Sequence, residues 1–249
     1  MKSKTLQIIS EKERIFGLEK SREQVMEELK REPQIYGGFQ KLSLRLQKEF
    51  LDFCMGVRGL NITYDPVFKK VFNPEYRPER LEEFLSLCLG EKVKIIRAVP
   101  NESERLTAEG SLLVMDILVQ LESGAFVNIE IQRVGYLFPG SRCACYASDL
   151  LMRQYCQVKE EKRRQGQKFS YHDMKDIYII VLLQDSTPEF GKFPDEYLHY
   201  IKPKSNTGLR LNMLQNYLMI PLDIFRKIIQ NRDNRKPENK LEAWLMFIS

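Results

Sequence analysis

Asp116, Glu130 and Gln132 are the polar residues with chemical potential in an otherwise apolar stretch at positions 112–133, LLVMDILVQLESGAFVNIEIQR. Two carboxylates and an amide on adjacent strands make a set of hard oxygen donors of the kind that holds Mg²⁺. A metal held there would polarise a phosphate, stabilise negative charge in a transition state and lower the pKa of a bound water. Without a cation, two carboxylates brought close repel, and one pKa rises. Gln132 can orient a water or a carboxylate, but it is neither a strong base nor a cation. A solvent-facing polar patch on a sheet would use the same residue types.

The geometry depends on the elements that carry these residues. The stretch reads as two strands joined by a tight turn. Glu130 and Gln132 are two apart and share a face, while Val127, Ile129 and Ile131 fill the other. Asp116 lies on a strand with Leu112, Val114 and Leu118. A strict two-residue turn at Ser123-Gly124 pairs Asp116 with Ile131 and puts it on the wrong face. A three-residue turn or a glycine bulge restores the even register and brings Asp116 beside Glu130 or Gln132. Gly124 supplies the positive φ such a turn needs. The spacing therefore predicts a bulged or three-residue turn, and a straight two-residue turn would sink the shared-site reading.

Around this pair the chain reads as mixed helices and strands. Residues 1–60 are helical and charged. Ser21 with Gln24 forms a capping-box pattern ahead of Val25, Met26 and Leu29. Pro33 and Gly37-Gly38 interrupt that stripe, and a second helix is expected over 41–55. Asp65-Pro66 suits a helix start, and 79–89 is amphipathic and stopped by Gly90. A strand is expected at 93–99, a polar loop at 101–110 and a long helix over 139–165. Ile177–Leu183 is a continuous apolar strand of the type buried on both faces. Beyond Pro188 the pattern weakens. Asn206-Thr-Gly208 marks a turn, 221–230 is helical, and 241–248 begins an apolar helix. The order helix, three strands, helix, strand implies an α/β domain with a mixed central sheet flanked by helices.

Composition excludes more than it assigns. With 249 residues and 43% hydrophobic content, the chain can bury a sizeable core. The net charge of +5 permits a nucleic-acid partner without requiring one. No apolar run is long enough to span a bilayer, and the N-terminus lacks an apolar signal region. The expected location is the cytoplasm. The five cysteines are odd in number and form no CxxC pair, so they read as reduced thiols. His172 and His199 stand far apart with no metal or triad motif, and neither a dinucleotide nor a P-loop fingerprint occurs. Arg142 and Tyr146 are four apart on a helix and hence neighbours on one face. They read equally as active-site support or as an ordinary surface pair. The basic run over 159–168 contains Glu160 and Glu161 and reads as a solvated helix end.

Taken in order, these pieces resemble the PD-(D/E)XK nuclease superfamily, and within it the recombination-promoting nucleases or PD-(D/E)XK family transposases. Asp65-Pro-Val-Phe-Lys-Lys-Val-Phe72 is similar to the family's opening helix. Asp116 in MDILVQ matches its strand aspartate, and Glu130-Ile-Gln132 matches the E-x-Q form of its E-x-K motif. RCACY (142–146) resembles the start of the next helix, and Asn239-Lys-Leu-Glu-Ala-Trp-Leu245 a late helical motif. The resemblance implies a restriction-endonuclease-like α/β core over 61–249, with 1–60 a helical N-terminal extension. It implies Mg²⁺-dependent (or Mn²⁺-dependent) DNA cleavage, with Asp116 and Glu130 as metal ligands and the Ile131 carbonyl as a third. Gln132 would complete the catalytic set, Arg142 and Tyr146 would support it or contact DNA, and an acid of the first core helix would assist. Glu79, Glu82 and Glu83 are the candidates for that acid, and Glu83 is the one retained.

Two departures accompany the match. Gln132 stands where the superfamily has lysine, although this group usually carries the glutamine. Family members also usually continue past the Trp244 helix, so 188–249 is expected to be a truncated C-terminal part. The reading is a DNA endonuclease of recombination, transposition or mobile-element defence, with a homodimer as the state suited to cutting two strands. The alternative is a catalytically silent nuclease fold that binds DNA or a protein partner.

Overall fold

Ser21 opens the first described helix through both bonds of a capping box: its hydroxyl accepts from the Gln24 amide, and its own amide donates to the Gln24 side chain at 2.7 Å. The computed structural model describes residues 20–57, 62–99, 115–132 and 140–249. The chain divides into two units, Met1–Leu60 and Asn61–Ser249.

The described part of the first unit holds α1 (Arg22–Arg31), α2 (Pro33–Gln40) and α3 (Leu44–Cys54). These helices enclose Val25, Leu29, Phe39 and Leu51, with Phe50 against Phe39. The sequence pattern places a break at Pro33 and Gly37-Gly38, but α2 runs through all three. Proline occupies its first turn, where the missing N–H costs nothing. Packing of Tyr36 and Phe39 accompanies the two helical glycines.

The second unit is a six-stranded mixed sheet between two helical layers. Its elements are α4 (Asp65–Val71), α5 (Pro78–Leu89), β1 (Ile95–Ala98), β2 (Ile117–Leu121), β3 (Phe126–Gln132), α6 (Gly140–Arg164), β4 (Ile177–Leu183), β5 (His199–Ile201), β6 (Gln215–Pro221), α7 (Leu222–Asn231) and α8 (Lys240–Ile248). The strand order is β1-β2-β3-β4-β6-β5. The β1-β2-β3 meander is antiparallel, whereas β3, β4 and β6 run parallel, with Gln132, Leu183 and Pro221 level at their C-terminal ends. Alternation sorts the faces. Val127, Ile129 and Ile131 meet α4, α5, α7 and α8 through Phe68, Phe84, Phe225 and Leu245. Phe126 and Leu118 meet α6 through Cys143, Tyr146 and Leu150.

Two strands escape the sequence pattern. β5 is three residues long, and β6 starts with Gln215 and Asn216 and ends on a proline, which mask its apolar run. Asn216 is buried because its amide donates to the Ile177 and Leu214 carbonyls. The expected strand residues 112–114 and loop 101–110 lie outside the described residues. The late motif forms α8. Asn239 caps it, Glu242 is buried in a paired contact with Arg232 at 2.6 Å, and Trp244 packs on Phe72 and Phe84.

Candidate active site

The β2–β3 turn sets the register of the site. Ile117 pairs with Ile129 and Val119 with Val127, and Leu121 donates to Ala125, so Glu122, Ser123 and Gly124 form a three-residue turn. Gly124 has φ +87°, and a Cβ there would also meet Lys175 at 3.1 Å. Gln154 of α6, fully buried, clamps the turn by donating to the Gly124 carbonyl and accepting from the Lys175 amide. The even register expected from the sequence is thus present, and it places Asp116 opposite Glu130.

Reciprocal backbone bonds join the two carboxylates. The Asp116 amide donates to Glu130 Oε1 at 3.0 Å, and the Ile131 amide donates to Asp116 Oδ2 at 2.9 Å. Asn128, on the same face of β3 as Glu130, donates to Oε1 at 2.9 Å. The other Glu130 oxygen takes no hydrogen bond from a described residue. Because the Gln132 carbonyl accepts from Gln184 on the β4 side, alternation turns the amide groups of Ile131 the opposite way, toward Asp116.

Burial raises the pKa of both acids. Glu130 is pushed up to about 7, by burial first and by the Asp116 charge second, against its hydrogen bonds and the Arg142 charge. Asp116 also rises through burial, opposed by the Ile131 amide and Lys69. Both groups would ionise more readily with a cation between them.

A cation does come to Asp116, from a helix that the sequence singled out for its shape rather than its charge. Lys69 of α4 stands 3.1 Å from Asp116 Oδ1 and 2.9 Å from Asp65 Oδ1. Burial would lower its pKa, but hydrogen bonds and charges of the two aspartates outweigh this and raise it. Asp65 and Lys69 are i, i+4 neighbours on one face of α4, a pairing the sequence reading did not single out. The meeting of Lys69 with Asp116, 47 positions on in the sequence, was not legible there either.

On the α6 side, Arg142 donates to the Tyr146 hydroxyl at 2.9 Å and lies over its ring at 5.4 Å. Tyr146 is fully buried, and its hydroxyl pKa is raised by burial and then by the Glu130 charge. Arg142 and Tyr146 therefore sit within electrostatic reach of Glu130. Gln132 shares the Glu130 face of β3 at its half-buried end.

The acids of α5 are placed elsewhere. Glu83 accepts from Lys240 and Trp244, both at 3.3 Å, and joins the α8 surface. Glu82 accepts from the Ile95 amide, and Glu79 pairs with Arg77 at the surface. None of the three makes a hydrogen bond or ion pair with Asp116 or Glu130. The helix acid connected to Asp116 is Asp65, through Lys69. α5 presents Leu81, Phe84 and Leu85 to the sheet, which turns its glutamates outward.

The donor set fits a hard divalent ion. Among the described residues no group of three or more His, Cys, Asp or Glu side chains could hold a metal. An ion here would rest on Asp116, Glu130 and a backbone carbonyl such as that of Ile131, with water completing the shell, as Mg²⁺ prefers. Among the described residues no helix is long and apolar enough to cross a membrane.

A family model described as PD-(D/E)XK nuclease family transposase matches residues 62–249. No curated protein and no solved structure matches the chain. The match spans the whole sheet, both acids and the helices that position them, so the chain belongs to the PD-(D/E)XK nuclease family transposases.

Proposed function

We propose that the protein is a Mg²⁺-dependent DNA endonuclease, with Mn²⁺ able to substitute, serving recombination, transposition or mobile-element defence. The observation that carries the reading is the Asp116–Glu130 pair, tied by the Asp116 amide to Glu130 and by the Ile131 amide to Asp116, with both carboxyls pushed up in pKa by burial. A bound divalent ion would supply charge for the phosphate oxygens and an activated water.

The protein's own groups have separable roles. Asp116, Glu130 and the Ile131 carbonyl would hold the ion. The backbone bonds to Asp116 and Glu130 keep them aligned, so little reorganisation accompanies catalysis. Glu130, whose pKa burial raises, would be held ionised by a bound cation. Lys69 stands where it can donate to a phosphate oxygen or to the attacking water, offsetting the charge that Gln132 lacks. Gln132 orients water by hydrogen bonding. Arg142, held by the Tyr146 hydroxyl, balances the charge near Glu130 and is exposed, so it could contact substrate.

The test is nicking of supercoiled plasmid by the purified chain beside Asp116→Ala and Glu130→Ala. Cleavage with Mg²⁺ or Mn²⁺ that vanishes in both variants supports the assignment. A folded chain that neither cleaves nor binds metal by calorimetry would instead be a silent nuclease fold, the reading that Gln132 in the lysine position favours.

A further inference from the structure

Arg226 is a cation that the proposed chemistry does not use, yet it stands on the same rim of the sheet. The parallel strands β3, β4 and β6 end level. Gln184, the first residue past β4, donates its amide to the Gln132 carbonyl at 2.8 Å. Its side chain accepts from Thr63, a buried residue two positions before Asp65. Its carbonyl accepts from Arg226 Nη2 at 3.0 Å, from the second turn of α7. A chain of contacts thus runs from Arg226 through Gln184 and Thr63 to the start of α4, whose Asp65 and Lys69 lead on to Asp116.

The guanidinium has donors to spare. It carries five N–H groups, of which only Nη2 makes a hydrogen bond to a described residue, the one to the Gln184 carbonyl. The nearest acid, Asp185, lies at 4.0 Å and is itself largely exposed, and the Arg226 side chain is 32% exposed. The other acid of this corner, Asp223, is occupied by the Ser186 amide and hydroxyl. One strand spacing across and about two residues along put the guanidinium roughly 8 Å from the Gln132 backbone. That is the scale of a neighbouring phosphate on a strand held at Asp116 and Glu130.

We infer that Arg226 is a backbone-phosphate contact for the nucleic-acid substrate, and that Asp185 beside it weakens that contact. The inference rests on the proposed nuclease reading. It extends the substrate path from the carboxylates along the C-terminal rim to α7. The guanidinium fork matches phosphate oxygens, and the fixed bond to Gln184 holds it ready. A phosphate contact of this kind positions the strand without reading its sequence.

The experiment is equilibrium binding of a fluorescent DNA duplex to the full chain in EDTA, followed by anisotropy over a salt series, with plasmid nicking in Mg²⁺ alongside. Arg226→Gln keeps a donor for the Gln184 carbonyl and removes the charge. Losing one phosphate contact is expected to flatten the plot of log K against log salt by about 1 and to weaken binding roughly eightfold at about 0.1 M salt. Asp185→Asn is expected to tighten binding. Thermal melts confirm that each variant is folded. If the native chain binds and cleaves while Arg226→Gln keeps its salt slope and affinity, this inference fails and the nuclease reading stands. If the native chain neither binds DNA nor cleaves it, both fail together. A flattened slope for Arg226→Gln with tighter binding for Asp185→Asn supports the contact.

Discussion

Replacing Glu130 by glutamine is expected to abolish cleavage and, in the absence of metal, to stabilise the protein. Glutamine keeps an oxygen for the Asp116 amide and the Asn128 side chain, so the change removes charge more than structure. The Glu130 pKa rises from 4.5 to about 7. Between those values the folded chain binds a proton that the unfolded chain has released, so stability falls as pH rises through the window. At about 1.4 kcal/mol per pKa unit, the ionised carboxylate costs about 3 kcal/mol by pH 8 and only about 1 kcal/mol near pH 5. For a domain of this size the variant should melt roughly 6–12 °C higher at pH 8, and roughly 2–4 °C higher near pH 5. Melting in EDTA across that pH range by circular dichroism measures the difference directly. Added Mg²⁺ or Mn²⁺ should then raise the melting temperature of the native chain and leave the variant unmoved. A melting difference that stays constant with pH, or a variant less stable at pH 8, would refute the idea that Glu130 is an uncompensated buried charge.

Other substitutions probe the neighbours. Lys69→Met leaves Asp116 without its cation, so Mn²⁺ affinity by calorimetry should hold or improve while cleavage slows roughly a hundredfold; parallel losses in both would contradict the assigned role. Arg142→Leu removes a charge that lowers the Glu130 pKa, so the acidic limb of the pH–rate profile should move to higher pH. Gly124→Ala forces a side chain into φ +87° and against Lys175, and denaturant unfolding should report a loss of about 1–2 kcal/mol. Glu83→Gln, which touches only α8 groups, should cleave plasmid at the native rate, and a large defect would return α5 to the site.

Local signals in the sequence reached far because several of them agree. The Ser21 cap, the Pro66 helix start, the Gly90 stop and the buried run at β4 all depend on neighbours within a few residues, and all appear in the structure. The register at Asp116 was legible as well, since strand period and one glycine leave few ways to put both acids on one face. β5 was hidden because it is only three residues long, and β6 because its apolar residues are bracketed by amides and a proline. Pairing of β6 with β4 and of β5 with β6 decides their state, and a single sequence does not display pairing.

The helix acid shows the same division. From the sequence, the α5 glutamates are the expected source of the helix acid and Asp65 is only part of a helix start, because a polar residue on an amphipathic helix does not show what it will face. Which polar side faces the carboxylates depends on how each helix packs on the sheet. Phe68 and Phe72 pack α4 so that Asp65 and Lys69 reach the strand ends, while Leu81, Phe84 and Leu85 turn the α5 glutamates away. The sequence alone determined the pair of acids, their spacing and the family pattern, since these rest on residue type and strand period. Only the tertiary structure decided that Lys69 meets Asp116 and that Arg226 shares the rim, because both depend on contacts between segments far apart in the chain.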